Sequence, residues 1–131
     1  MRTNQPPFSS FAVPDIEAAR RFYGDTLGLD VRDSQEQGLL ELHLGGAPVL
    51  VYPKPDHQPA VFTILNFPVA DIDQAVDELN RAGVQMTRYD LGPDGGGSGD
   101  DKGIHRGEDG PAIAWFSDPA GNILSVLQAT G

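Results

Sequence analysis

The chain has 131 residues, 19 acidic against 9 basic side chains for a net charge of −10, and no cysteine. That length suits a single domain able to bury ~65–70% of its extended-chain surface. The charge argues against nucleic acid and anionic membrane as partners, and the missing cysteines exclude disulfides, thiolate nucleophiles and thiolate metal sites. With no apolar signal region in "MRTNQPPFSS" and no apolar run of spanning length, a soluble cytoplasmic protein is expected.

A first strand is expected over about 8–13, followed by a helix. Asp15 stands where its carboxylate can accept from the orphan amides of the first turn. Ile16, Ala19, Tyr23 and Leu27 then share a helical face, and Gly28 supplies a stop. Strands follow over about 29–33, 38–44 ("GLLELHL") and 47–52 ("APVLVY"), joined by "SQEQ" and "GG" turns. A polar linker spans 54–60. The next strand is expected over about 61–69. Asp71 then caps a second helix, with Gln74 three residues on completing a capping-box pattern. Ile72, Ala75, Val76, Leu79 and Ala82 follow at helical spacing, and Gly83 ends it. Strands over about 84–89, 111–117 and 122–128 complete the chain, with "DPAGN" at 118–122 as a tight turn.

The stretch "LGPDGGGSGDDKGIHRGEDGP" at 91–111 is too polar and glycine-rich to order itself through burial. It reads either as a mobile surface insertion or as a lid with His105 or Arg106 as its contact.

The chain repeats itself. "FAVPDIEAARRFY" from Phe11 matches "FPVADIDQAVDEL" from Phe67 in kind and at a constant offset. The expected fold is therefore α+β, with two tandem βαβββ modules, about 8–53 and 61–128, in one domain over 1–131. One helix covers one face of each four-stranded sheet. The two helix-free faces can then line a shared concave cavity within a curved mixed sheet.

Chemistry-bearing side chains are few. In "GLLELHL" the leucines should face the helix, which brings Glu41 and His43 together on the opposite face, with Arg32 and Asp30 on the preceding strand. A Glu/His pair two residues apart can hold an imidazole tautomer and make a general base. The simpler reading is a solvated outer face with an Arg32–Glu41 cross-strand pair. Tyr52 and Trp115 are aromatics that can meet a ligand or merely pack. Phe22 and Tyr23 belong to the core, and His57 to the linker. "GGGSG" at 95–99 lacks the ending of a phosphate loop, and "GDDKG" does not fit a calcium loop.

Three segments, "VPDIEAARRFYGDTLGLDV", "VADIDQAVDELNRAGV" and "GPAIAWFSDPAGNILSVLQ", resemble the vicinal oxygen chelate superfamily of glyoxalases, extradiol dioxygenases and bleomycin-resistance proteins. The resemblance runs from about Phe8 to Gln128. It implies paired βαβββ modules, a cavity and a homodimer. Metal-dependent members hold a divalent ion with His or Glu from four strands, and those positions fall here on Phe8, Leu50, Ile64 and Ser125. None supplies a carboxylate or imidazole, and 8–13, 47–52, 61–69 and 122–128 contain no His, Asp or Glu at all, so no metal and no cofactor are expected.

Strand alternation puts Phe8, Ser10 and Ala12 on the helix-free side, with Pro48, Leu50 and Tyr52, Phe62, Ile64 and Asn66, and Ile123, Ser125 and Leu127. An apolar and aromatic lining of this kind suits a small organic ligand. The expectation is a metal-independent binder of an apolar or aromatic molecule. The rival is a glyoxalase-like lyase or isomerase or a dioxygenase-type enzyme, cofactor-free with Glu41 and His43 as acid–base groups. A scaffold role with a vestigial cavity is the third reading.

Overall fold

The structure, a computed structural model, describes residues 1–95, 97–107 and 110–129. Gly96, Glu108 and Asp109 of the 91–111 stretch lie outside them, as do Thr130 and Gly131. The chain divides into two compact units, Met1–Pro59 and Ala60–Gly131. Its architecture is α+β, with one sheet in each unit.

The first unit holds β1 (Ser10–Val13), α1 (Ile16–Arg20), β2 (Asp30–Asp33), β3 (Leu40–His43) and β4 (Val49–Pro53). The sheet runs β1-β4-β3-β2, with β1 parallel to β4 and the other pairs antiparallel. As expected, Asp15 caps α1, its Oδ1 accepting from the amides of Glu17 and Ala18. The helix then widens into a π-helical segment over Arg21–Thr26, which periodicity did not foretell. Ala19 and Tyr23 are buried, and Phe11 and Phe22 pack edge-on or tilted against Tyr23. Leu40, Leu42 and Val51 complete this core. Removing that much aliphatic and aromatic surface from water is what holds so small a sheet to one short helix.

The second unit holds β5 (Thr63–Pro68), α2 (Ile72–Arg81), β6 (Ala112–Ser117) and β7 (Ile123–Gln128). The sheet runs β5-β7-β6, with β5 parallel to β7 and β6 antiparallel to it. Ile72, Val76, Ala114, Phe116, Leu124 and Val126 are buried together between helix and sheet. Gly28 and Gly83 carry positive φ after their helices, where a side chain would be strained. The capping box is half made: Asp71 accepts from the Gln74 amide, but the Gln74 side chain turns to Glu78. The Ile72 amide finds its partner in Gln128 at the end of β7.

Two expectations need correction. The strand over 84–89 does not form; Thr87 makes a single bridge to Trp115. The outer edge of β6 is shared, because His105 bridges Ile113 on the same side, so neither segment gains a full ladder. The expectation that 91–111 cannot order through burial also fails, since Ile104 and His105 are buried. Polar ties fasten this segment to the rest of the unit. Arg106 bonds Asp73 and Asp100, Lys102 bonds Asp77, and Arg88 donates to the carbonyls of Asp100 and Asp101.

Candidate ligand-binding site

In the first unit the site grows from the alternation of β3. Leu40 and Leu42 are buried, so Glu41 and His43 emerge on the other face. Glu41 Oε1 and His43 Nε2 are 2.9 Å apart, both half-buried. An ionised carboxylate only accepts, so Nε2 carries the hydrogen in this contact. Glu41 stands directly opposite Leu50 on one side and Arg32 on the other. The anticipated Arg32–Glu41 ion pair is nonetheless not made. Arg32 closes on Asp30 through Nε and Nη2, at 3.1 and 2.8 Å, and holds that carboxyl below its ordinary value. Two residues apart on one strand, Asp30 offers Arg32 a two-pronged partner. Among the described residues, Glu41 Oε2 therefore accepts no hydrogen bond.

Beside Glu41 lies a depression of about 230 Å³ lined by Phe8, Ser34, Glu36, Leu39, Glu41, Pro48 and Leu50. Phe8, Leu39, Pro48 and Leu50 give it an apolar side, and Phe8, just ahead of β1, keeps 64% of its surface exposed. Of the residues anticipated from sequence, Phe8, Leu50 and Glu41 meet here. Ser10 pairs with Leu50 and Tyr52 with Ala12 in the same ladder, but neither lines the depression. Sequence reasoning missed Ser34, Glu36 and Leu39; they come from the turn between β2 and β3, which no alternation rule reaches. A second hollow, about 580 Å³, lies between α1 and that same turn. It is crossed by Arg20, which joins Asp33 at 2.7 Å and Glu17 at 3.3 Å.

In the second unit a different group gathers on the helix-free face. Trp115 stands opposite Ser125, and Ser125 opposite Asn66. Ser125 Oγ donates to Asn66 Oδ1 at 2.5 Å, and Trp115 Nε1 donates to Thr63 Oγ1 at 2.9 Å. Tyr89 and His105 pack their rings edgewise on Trp115, with centroids 5.4 and 5.2 Å away. The register of β5 slips between Thr63 and Leu65, so the alternation expected through Ile64 is broken and Thr63 is the side chain that meets Trp115. Phe62 lies ahead of β5 and is exposed. His105 is 1% exposed, and no described group bonds either of its ring nitrogens. Arg106 is directed to α2 instead, where Asp73 raises its pKa.

The four positions anticipated for metal ligands carry no carboxylate or imidazole. Of Phe8, Leu50, Ile64 and Ser125 only Ser125 is polar, and its hydroxyl is engaged by Asn66. Among the described residues no group of three or more His, Asp or Glu side chains could hold a metal. Glu41 and His43 supply two donors, one fewer than an open catalytic site needs.

The family profile described as the Glyoxalase/Bleomycin resistance protein/Dioxygenase superfamily matches residues 7–126. No curated protein is similar enough in sequence to match. Among solved structures, the antibiotic-binding protein TnmS3 of Streptomyces sp. CB03234 is 24% identical, with a TM-score of 0.67 over 98% of this chain and 100% of that one. The fosfomycin resistance protein FosX of Listeria monocytogenes is 11% identical, with a TM-score of 0.70 over 98% and 96%. Lactoylglutathione lyase of Agrobacterium tumefaciens is 19% identical, with a TM-score of 0.66 over 97% and 95%. At such identities the likeness is one of fold. No helix among the described residues is long and apolar enough to cross a membrane.

Proposed function

The chain belongs to the glyoxalase/bleomycin resistance protein/dioxygenase superfamily, and we propose that it binds a small, mostly apolar or aromatic organic molecule without a metal ion. It does so as a cytoplasmic homodimer. The observation that carries this reading is the depression walled by Phe8, Leu39, Pro48 and Leu50, with Glu41 at its edge. Apolar walls with one or two placed polar groups are the usual make-up of a small-molecule site. Its volume lies below the ~300–1,000 Å³ that drug-sized ligands occupy, so it takes a small ligand or one ring of a larger one. Metal independence is supported by the donor chemistry of the four strand positions. An antibiotic-binding protein among the structural neighbours supports binding without turnover.

The test is a ligand-observed screen of aromatic fragments in the presence of a chelator, with hits mapped by amide chemical shifts. Shifts grouped on Phe8, Leu39 and Leu50 are expected. Hits that need an added divalent ion, or that map elsewhere, would refute the reading.

The Glu41–His43 contact favours a second reading, a cofactor-free lyase or isomerase. Glu41 Oε2, free at the edge of the depression, would take a proton from a bound carbon acid and return it to a neighbouring atom. His43, bonded to Oε1, is then a positioning residue that fixes the carboxylate. Lactoylglutathione formation and catechol cleavage, assayed with and without metal, test it. Turnover that survives Glu41→Gln unchanged would eliminate this role.

A further inference from the structure

The depression beside Glu41 selects for charge. Resting on the binding reading above, we propose that its ligand is an organic cation: a small amine on an apolar or aromatic body, its ammonium bonded to Glu41 Oε2 and its body against Phe8 and Leu50.

The argument begins with what lines the hollow. Two carboxylates, Glu41 and Glu36, are present, and no Lys, Arg or His. Three cations of the same unit are engaged elsewhere: Arg32 by Asp30, Arg20 by Asp33 and Glu17, and Lys54 by Asp56. Arg32 is the telling case, since it stands directly across the ladder from Glu41 and still turns to Asp30. His43 satisfies only Oε1.

Covering the hollow with a neutral apolar ligand would strip water from Oε2 and leave a charged acceptor unpaired, which is costly. An anion would add repulsion from both glutamates. An ammonium group supplies the missing donor and the opposite charge at once. Phe8 adds a second attraction, because an exposed aromatic ring lining the same hollow as two carboxylates can attract a cation through its quadrupole. The net charge of −10 draws cations toward the whole surface; the lining decides where one stays.

Three probes of matched size separate the possibilities: phenethylamine, phenethyl alcohol and phenylacetate, titrated into the full chain and followed by amide chemical shifts. The amine should shift Phe8, Leu39 and Leu50 and bind at least about tenfold more tightly than the alcohol, with the acid weakest. Glu41→Gln should remove most of that preference. Glu36→Gln, on the exposed turn, should reduce it in part, and added salt should weaken the amine alone. Equal affinity for amine and alcohol at this site would overturn the cation inference and leave the binding reading standing. No shift at these residues with any probe would overturn both.

Discussion

One nitrogen of the Arg106 guanidinium bonds both carboxylate oxygens of Asp73, at 3.0 and 2.9 Å. The contact joins α2 to a glycine-rich segment that composition alone would leave loose. Arg106 also reaches Asp100, and Lys102 lies 3.1 Å from Asp77 and 3.5 Å from Asp73. Replacing Arg106 with alanine removes the centre of this network. Trypsin should then cut the bond after Lys102 several-fold faster, with the far-ultraviolet spectrum of the sheets unchanged. An unaltered cleavage rate would show that Ile104 and His105 hold the segment by burial alone.

The same network sets a pH dependence. Arg106 holds the Asp73 carboxyl below its ordinary value. At Asp100 burial pushes upward, but the backbone amides of Ile104 and Lys102 and the Arg106 guanidinium outweigh it, and the carboxyl again lies low. A carboxyl with a depressed folded-state pKa adds stability that is present above the unfolded value of about 3.9 and lost as pH falls through the folded value. The Ile104 amide resonance should therefore keep its folded position down to about pH 4 and depart from it only below. A transition centred at or above the ordinary aspartate value would contradict the network.

The turn before β7 gives a third prediction. Asp118 is buried, and its carboxylate accepts from the amides of Ala120 and Asn122 and from the Asn122 side chain, each at 2.9 Å. Asp118→Ala leaves those donors without their acceptor and should destabilise the chain by about 2–3 kcal/mol in chemical denaturation. A loss below about 0.5 kcal/mol would mean that Pro119 and Gly121 shape the turn unaided.

His105 reverses the usual expectation for a buried substitution. Both ring nitrogens lack a described partner while the ring packs on Trp115. Leucine is similar in size and carries no polar atom, so His105→Leu should leave stability unchanged or raise it by about 1 kcal/mol. A comparable loss would reveal a hydrogen bond that the ring makes in solution.

Much of the fold could be read in the residues because the signals are local. Asp15 and Asp71 announce helices by carboxylates that really do accept from first-turn amides. Leu40 and Leu42 announce the face of β3, and the Glu41–His43 contact follows from that alternation. What escaped is set by competition at a distance. The segment around Thr87 alternates well enough for a strand, yet it shares the edge of β6 with His105. The slip in β5 is marked by no glycine or proline, and it puts Thr63 rather than Ile64 beside Trp115. In 91–111 glycine and charge conceal Ile104, the one aliphatic residue able to anchor the middle of the stretch. The Arg32–Glu41 pair failed because Asp30, on the same strand, was the better partner.

Metal analysis bears most directly on the whole. The positions where the family resemblance implies chelation carry Phe8, Leu50, Ile64 and Ser125 in this chain, and the proposed ligand recognition rests on apolar contact and on Glu41. Elemental analysis of protein purified without added metal or chelator should find divalent ions far below one per chain. A single tightly held ion per chain, surviving dialysis, would contradict the account.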